Sequence, residues 1–86
     1  MKIDLALFGA FREFEPAGRV SFDVPEESDI ARLRAAFDAY ARAHWPTYEP
    51  KLLAVSAFAS ETTVLRDADP VPADGRVAVL PPVSGG

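Results

Sequence analysis

The residues with the clearest chemical potential are the last six of the sequence, Pro81-Pro82-Val83-Ser84-Gly85-Gly86. No residue follows the diglycine, and we predict that the terminal carboxylate of Gly86 is the reactive group. Pro81 and Pro82 have no N–H and a fixed φ, so they end a strand and stiffen the chain that leaves it. Gly85 and Gly86 have no Cβ, so the end is thin enough to enter a narrow channel. Six extended residues reach about 20 Å, which is far enough to pass from a folded body into another protein's active site.

Other residue types with reactive side chains are scarce. The sequence has no Cys and a single His, His44, so a Cys nucleophile, a disulfide and a zinc–thiolate site are excluded. A catalytic triad or a metal site would need partners for His44, and the sequence shows none. Ser84 is interpreted as a small spacer within the tail. We therefore assign the chemistry to the end of the chain and none to the side chains of its body.

Composition limits the classes of protein to consider. The 86 residues suffice for one small domain, and a hydrophobic fraction of 49% predicts a packed globule. The net charge of −4 comes from 9 basic and 13 acidic residues, and the basic ones are scattered, which disfavours nucleic-acid binding. No secretory signal is visible, and no apolar run approaches the roughly 18 residues of a membrane span. We therefore expect a cytoplasmic protein that binds neither nucleic acid nor membrane.

The first half of the chain predicts two strands and the main helix. Residues 2–8 and 19–24 alternate between apolar and polar, which is typical of half-buried strands, and we expect them to form an antiparallel pair. Residues 10–18 between them are interpreted as a short turn of helix and a loop. The helix begins after a cap at Ser28 or Asp29 and ends near residues 43–44, because Pro46 follows.

The second half predicts three more strands. The apolar run of residues 52–58 follows a loop at 47–50 and indicates a strand buried on both faces. Residues 62–65 form a short strand, 67–75 a loop, and 76–80 a last strand that leads into the tail. One mixed sheet packed on one main helix is the economical α+β solution for this order. The predicted organisation is a domain at residues 1–80 with an extended functional tail at residues 81–86.

This order and ending resemble a known family, the ubiquitin-like β-grasp sulfur carriers, and most closely the small subunit of molybdopterin synthase (the MoaD type). Residues 7–14 are similar to the first strand and turn of that subunit, 29–33 to its capped helix start, 51–55 to its third strand and 77–86 to its last strand and tail. The Pro-Pro-Val segment favours this subunit over the thiamin carrier (ThiS) and over ubiquitin-related modifiers, which share only the diglycine.

Two positions depart from the family pattern. Ser56 stands where the family usually has Asn in its third strand, and Arg76 follows Gly75 directly where the family usually has an acidic pair. The second change removes negative charge that we expect near the base of the tail. It leaves room for a different choice of partner.

The resemblance implies a chemistry for Gly86. A ubiquitin-activating-like enzyme would use ATP to adenylate the carboxylate, and a sulfur donor would displace AMP to leave a thiocarboxylate. The tail would then enter the large subunit of molybdopterin synthase and give sulfur to a pterin precursor in molybdenum cofactor biosynthesis. The chain itself would be a non-catalytic carrier subunit with no bound cofactor, because the partner enzyme uses the ATP.

The resemblance also implies a surface for these partners. Besides tail residues 81–85, the candidates are Phe8, Phe11, Phe58 and Leu80, because the sheet face opposite the helix has no second layer in this fold. The alternative is that these side chains belong to the core. Arg12 is a candidate for an ion pair with the partner, or else a solvated turn residue.

Three other functions remain open at this point. The chain could carry sulfur for thiamin, a tungsten cofactor or another thio-compound. It could be a ubiquitin-like modifier whose Gly86 is joined to lysines of target proteins. It could also be a plain interaction module whose tail has no chemical role.

Overall fold

The computed structural model describes residues 1–82. The predicted site residues Val83, Ser84, Gly85 and Gly86 lie outside the described residues. Five strands and three helices are found between residues 1 and 82: β1 Lys2–Leu7, α1 Phe11–Phe14, β2 Arg19–Asp23, α2 Ile30–His44, α3 Pro50–Ala54, β3 Ala57–Ala59, β4 Val64–Leu65 and β5 Arg76–Leu80.

The strands form one mixed sheet in the order β2-β1-β5-β3-β4. β1 pairs antiparallel with β2, as predicted, and parallel with β5, while β3 pairs antiparallel with both β5 and β4. Parallel neighbours cannot be joined by a tight turn, so the chain needs a long connection between them. The main helix α2 lies within that connection and packs on one face of the sheet.

The core lies between that sheet face and α2. Alternation places Ile3 and Leu5 of β1 and Val79 of β5 on the covered face, and all three are fully buried. α2 contributes Leu33 and Phe37, which are also fully buried. Burial of each such side chain stabilises the fold by about 1.5–3 kcal/mol. The α+β prediction of one mixed sheet on one main helix is confirmed.

The ends of α2 follow from local chemistry. The carboxylate of Asp29 accepts a hydrogen bond from the backbone N–H of Arg32 at 2.9 Å, a cap that typically contributes about 1 kcal/mol. After His44 the backbone N–H of Trp45 still donates to the carbonyl of Ala41 at 2.8 Å, and Pro46 prevents a further turn. Both predicted ends of the helix are therefore confirmed.

The predicted strand over residues 52–58 is wrong in its first half. Residues 50–54 form α3, and β3 covers only Ala57–Ala59. Pro50 occupies the first turn of α3, where its fixed φ suits a helix, and Lys-Leu-Leu-Ala after it contains good helix formers and no β-branched residue. The apparent similarity of residues 51–55 to a third strand fails for the same reason. The predicted short strand near residues 62–65 is confirmed as β4.

Arg34 fixes the turn between α3 and β3. Its Nη1 donates to the carbonyls of Leu53 at 2.7 Å and Ser56 at 2.9 Å. Its Nη2 lies 3.2 Å from the carboxylate of Asp67, and its guanidinium carbon lies 4.9 Å from the centre of the Phe58 ring. The Leu53 carbonyl also accepts from the backbone N–H of Ser56 at 3.0 Å. One planar side chain of the main helix thus joins the end of α3 to the residue before β3.

A second polar cluster joins α2 to the loop that follows it. The hydroxyl of Tyr48 donates to Oδ1 of Asp38 at 2.7 Å, and Nε of Arg42 donates to Oδ2 at 2.8 Å. The hydrogen bond from Tyr48 holds the pKa of Asp38 below its ordinary value. Burial, followed by the hydrogen bond to Asp38, raises the pKa of Tyr48. The folded state therefore favours an ionised Asp38 and a protonated Tyr48.

This cluster predicts a stability loss at alkaline pH. Folding raises the pKa of Tyr48 above its ordinary value of 10.0. The contribution of the protonated hydroxyl to the free energy of unfolding is therefore fully present below pH 10.0 and is lost as the pH rises further. We expect Tyr48→Phe to lower the free energy of unfolding by about 1 kcal/mol at neutral pH, and the difference from wild type to shrink above pH 10.0. Urea unfolding of both proteins measures it, with Tyr40→Phe as the matched control. A difference in the free energy of unfolding that stays constant above pH 10.0 would contradict the raised pKa of Tyr48.

Candidate functional site

The parallel pairing of β1 and β5 decides where the tail leaves the body. Ala6 is paired with Ala78 and Leu7 with Val79, and two residues further along both strands the register brings Gly9 beside Pro81. β5 ends at Leu80, Pro81 is half-buried and Pro82 is exposed. The tail therefore begins beside the C-terminal end of β1, because β1 and β5 are parallel and end at the same side of the sheet.

An apolar surface surrounds this exit. We call it the tail-base patch, and it is formed by Phe8, Leu52, Leu80, Pro81 and Pro82 around the backbone of residues 9–10. The Phe8 side chain is 45% exposed, although it is large and apolar. Exposed apolar surface beside the exit makes the patch a candidate site of interaction with another molecule. The patch lies where a partner receiving the tail would contact the body.

The open face of the sheet carries a second, shallow groove. Its floor is a row of three alanines on adjacent strands, because Ala6 pairs with Ala78 and Ala78 pairs with Ala59. Their methyl groups give the groove a shallow, apolar floor. Phe8 and Leu80 line this groove as well as the tail-base patch, so the apolar surface runs from the tail exit onto the sheet.

Charged residues lie at the far end of the groove. Oδ1 of Asp4 is 3.2 Å from Nε of Arg19, and Nη1 of Arg76 is 3.9 Å from Oε1 of Glu61. The Arg76–Glu61 pair is solvent-exposed and contributes little to stability, whereas Oδ1 of Asp4 is itself buried. Arg76 starts β5, about 13 Å along the strand from Leu80, so the family departure at this position does not lie at the base of the tail as expected.

The predicted partner residues fall into two groups. Phe8 and Leu80 lie in the tail-base patch, and their role in docking stays a prediction. Phe11 and Phe58 are fully buried, which corrects their assignment to a docking surface. Phe11 packs on Phe37 with ring centres 5.7 Å apart, and Phe58 faces the core because it pairs with the buried Val79.

Arg12 is an exposed residue of α1 whose guanidinium lies over Gly18. An ion pair between Arg12 and a partner stays a prediction. Sequence reasoning missed two features of the site, Leu52 and the alanine row. Leu52 was missed because residues 52–58 were predicted to form a buried strand, whereas Leu52 lies in α3. The outward alanines of β1 and β5 were visible in the alternation, but the strand pairing that aligns them was not.

The described residues offer no other candidate centre. Within residues 1–82, no group of three His, Asp or Glu side chains is arranged to hold a metal ion. In the same part of the chain, no helix is both long and apolar enough to cross a membrane. The tail exit with its apolar surroundings is therefore the site we consider.

Comparison with solved structures identifies the fold. The chain is similar to SAMP1 from Haloferax volcanii, a ubiquitin-like small archaeal modifier, with a TM-score of 0.72, 22% sequence identity and 100% of both chains covered. The fold is a ubiquitin-like β-grasp. This confirms the predicted fold class, and at this level of identity the likeness concerns the fold alone. No family model matches the chain, and no curated protein matches it.

The burial of the aromatic side chains can be tested by truncation. We expect Phe58→Ala to lower the free energy of unfolding by about 3–5 kcal/mol, because it leaves a cavity in the core. Phe8→Ala removes a ring of the same size from the surface and should cost less than about 1 kcal/mol. Urea unfolding compares the two variants. Equal losses would show that Phe8 is part of the core and not of a docking surface.

Proposed function

We propose that this chain is a ubiquitin-like sulfur carrier whose Gly86 carboxylate is activated and loaded by a partner enzyme. The observation that carries the proposal is the parallel pairing of β1 and β5, because it brings the start of the tail next to the exposed apolar ring of Phe8. The tail that ends in Gly-Gly would extend from this exit, and the tail-base patch beside it would contact the partner.

The reaction begins with a carboxylate that is a poor target for nucleophiles because of its charge and resonance. A ubiquitin-activating-like partner would join Gly86 to AMP from ATP, with release of pyrophosphate. Hydrosulfide released by a separate donor would then attack the carbonyl carbon, so that a C–S bond forms as the bond to AMP breaks. The product is a C-terminal thiocarboxylate. The absence of Cys from the sequence fits sulfur carried on Gly86 instead of on a side chain.

The body contributes binding and placement to this reaction. The tail-base patch would hold the body against the partner while residues 83–86 extend into its active site. Four extended residues span at most about 14 Å, so the body must dock close to the reacting centre. Glycine at the last two positions leaves room for the partner's groups around the carbonyl.

At the finer level we propose that the chain is the small subunit of molybdopterin synthase. The support is the Pro-Pro-Val-Ser-Gly-Gly ending, which resembles that subunit more than other carriers. The loaded tail would enter the large subunit and transfer sulfur to a cyclic pterin precursor. A dithiolene needs two sulfur atoms, so the carrier would dissociate and be recharged between transfers.

The similarity to SAMP1 favours a second candidate, a protein modifier. In that case the amine of a target lysine would displace AMP, and Gly86 would form an isopeptide bond. The activation step is common to both functions, and the nucleophile of the second step differs. The two candidates can therefore be separated by the product alone.

Mass spectrometry distinguishes the two products. We expect incubation with ATP, an adenylating enzyme and a sulfur donor to replace one oxygen of Gly86 by sulfur. One alanine added after Gly86 should abolish this change, because the reacting carboxylate is displaced from the catalytic position. Equal urea midpoints of both proteins provide the folding control.

Three results would count against the proposal. Sulfur loading of the extended chain would show that the end group is not the reactive centre. Adducts on lysines in place of sulfur would select the modifier. Failure to co-purify with a large synthase subunit would remove the molybdenum pathway.

The tail-base patch makes a separate prediction about docking. Phe8→Asp should raise the KM for charging about 30-fold, since a central aromatic anchor is typically worth about 2 kcal/mol. Val55→Asp is the matched control, because Val55 is 65% exposed and lines neither groove. Similar KM values for both variants would show that the patch does not contact the activating enzyme.

A further inference from the structure

Gly9 lies directly beneath the ring of Pro81, the first residue of the tail. A Cβ built on Gly9 would lie 2.7 Å from Cγ and 3.6 Å from Cδ of Pro81. Carbon atoms in contact normally stay about 3.5–4.0 Å apart. The ring therefore packs on the bare backbone of Gly9, in space that the side chain of any other residue would occupy.

The turn after β1 holds Gly9 in this position. Its φ is +55°, a conformation that glycine adopts without the penalty that other L-residues meet. The carbonyls of Phe8 and Gly9 accept hydrogen bonds from the N–H groups of Phe11 and Arg12 at 3.2 and 3.1 Å. The backbone under Pro81 is thus anchored to α1 and forms a fixed support.

The support matters because the sheet cannot hold Pro81 by hydrogen bonding. Proline has no N–H to donate, so the ladder between β1 and β5 cannot extend through this residue. Packing of the ring on Gly9 takes the place of the missing bond. Gly9 is therefore a point of contact between the body and the first residue of the tail.

We propose that Gly9 is a positioning residue for the tail: by admitting the Pro81 ring against its backbone, it sets the direction in which the chain leaves β5. The catalytic consequence rests on the proposed function, in which the end of the tail must reach a reacting centre. A methyl group at position 9 would displace the ring, and the displacement would grow along the residues that follow. A misplacement of about 1 Å at a reacting centre can cost about a hundredfold in rate.

A substitution at Gly9 changes two things at once, the space under Pro81 and the strain of a positive φ. Gly18 separates these effects, because its φ is +79° and a Cβ there would meet only the flexible side chain of Arg12, at 3.5 Å or more. Gly18→Ala therefore shares the backbone strain without touching the tail. Gly75 is unsuitable as a control, since its Cβ would lie 2.2 Å from the carbonyl oxygen of Lys2.

The decisive experiment is a double-mutant cycle on Gly9 and Pro81, with kcat and KM for sulfur loading as the readout. We expect Gly9→Ala to lower kcat about tenfold in the Pro81 background. In the Pro81→Ala background it should lower kcat less than about twofold, because Cγ and Cδ are gone and the Cβ of Pro81 lies 4.0 Å from the added methyl group. KM should change less than in Phe8→Asp, because Phe8, Leu52 and Leu80 of the tail-base patch are unchanged, and Gly18→Ala should behave as wild type.

Two results of the cycle would overturn the proposal. Equal losses in both backgrounds would assign the effect to the backbone of the turn. No loss in the Pro81 background would show that the contact does not guide the tail. If Gly9→Ala does not fold, Gly9→Asn replaces it, because Asn tolerates this φ while still placing a Cβ under the ring.

An NMR measurement on the isolated protein tests the contact between Gly9 and Pro81 in the absence of any partner. We expect nuclear Overhauser effects between the Hα protons of Gly9 and the Hγ protons of Pro81, and shifts of the Leu80 and Pro82 resonances in Gly9→Ala but not in Gly18→Ala. Absence of these effects in wild type would overturn the positioning role. A wild-type protein that shows them but acquires no sulfur would instead refute the proposed function and leave the contact established.

Discussion

The parallel pairing of the first and last strands is the constraint on which the rest of this molecule depends. β1 and β5 occupy the centre of the sheet, so residues from both ends of the chain must meet before either strand can be buried. The pairing places Ile3, Leu5 and Val79 on the face that α2 covers. It also brings the end of β1 beside the end of β5. The register of β1 and β5 thus determines both which side chains form the core and where the tail leaves the sheet.

Phe8 and Phe11 show how the same register divides apolar side chains between the surface and the core. Leu7 is the last β1 residue with a ladder partner, so Phe8 lies outside the sheet and stays 45% exposed. Phe11 is three residues further, where α1 returns its ring to the core against Phe37. A shift of the β1–β5 register by one residue would invert the two faces of β1. The exposure of Phe8 is therefore set by the pairing that builds the core.

The sequence predicts an element correctly where one local rule dominates. It fails where strand pairing, or competition between helix and strand propensity, determines the structure. Asp29 and Pro46 bracket α2, and alternation locates β1 and β5, so these elements could be read directly. Residues 50–54 satisfy two rules at once. Their apolar run is typical of a buried strand, whereas Pro50 and Leu-Leu-Ala favour a helix. The helical propensity prevails, and these residues form α3. Phe58 was misplaced because its direction depends on pairing with Val79. The contact between Gly9 and Pro81 joins residues 72 positions apart in the sequence, and no local pattern reveals it.

The form of the exit is compatible with both proposed functions, a sulfur carrier and a modifier. Activation of a carboxylate requires the partner to enclose the last residues, which leaves the body able to bind, orient and support the tail but not to choose the nucleophile. Under the proposed function, the apolar tail-base patch and the Pro81 ring on Gly9 would act before that choice is made. They are equally useful whether sulfide sulfur or a lysine amine attacks the carbonyl. Under either proposal, selection between the two functions would lie in groups that the partner brings to Gly86, and differences between carriers would appear on the surfaces that select the partner.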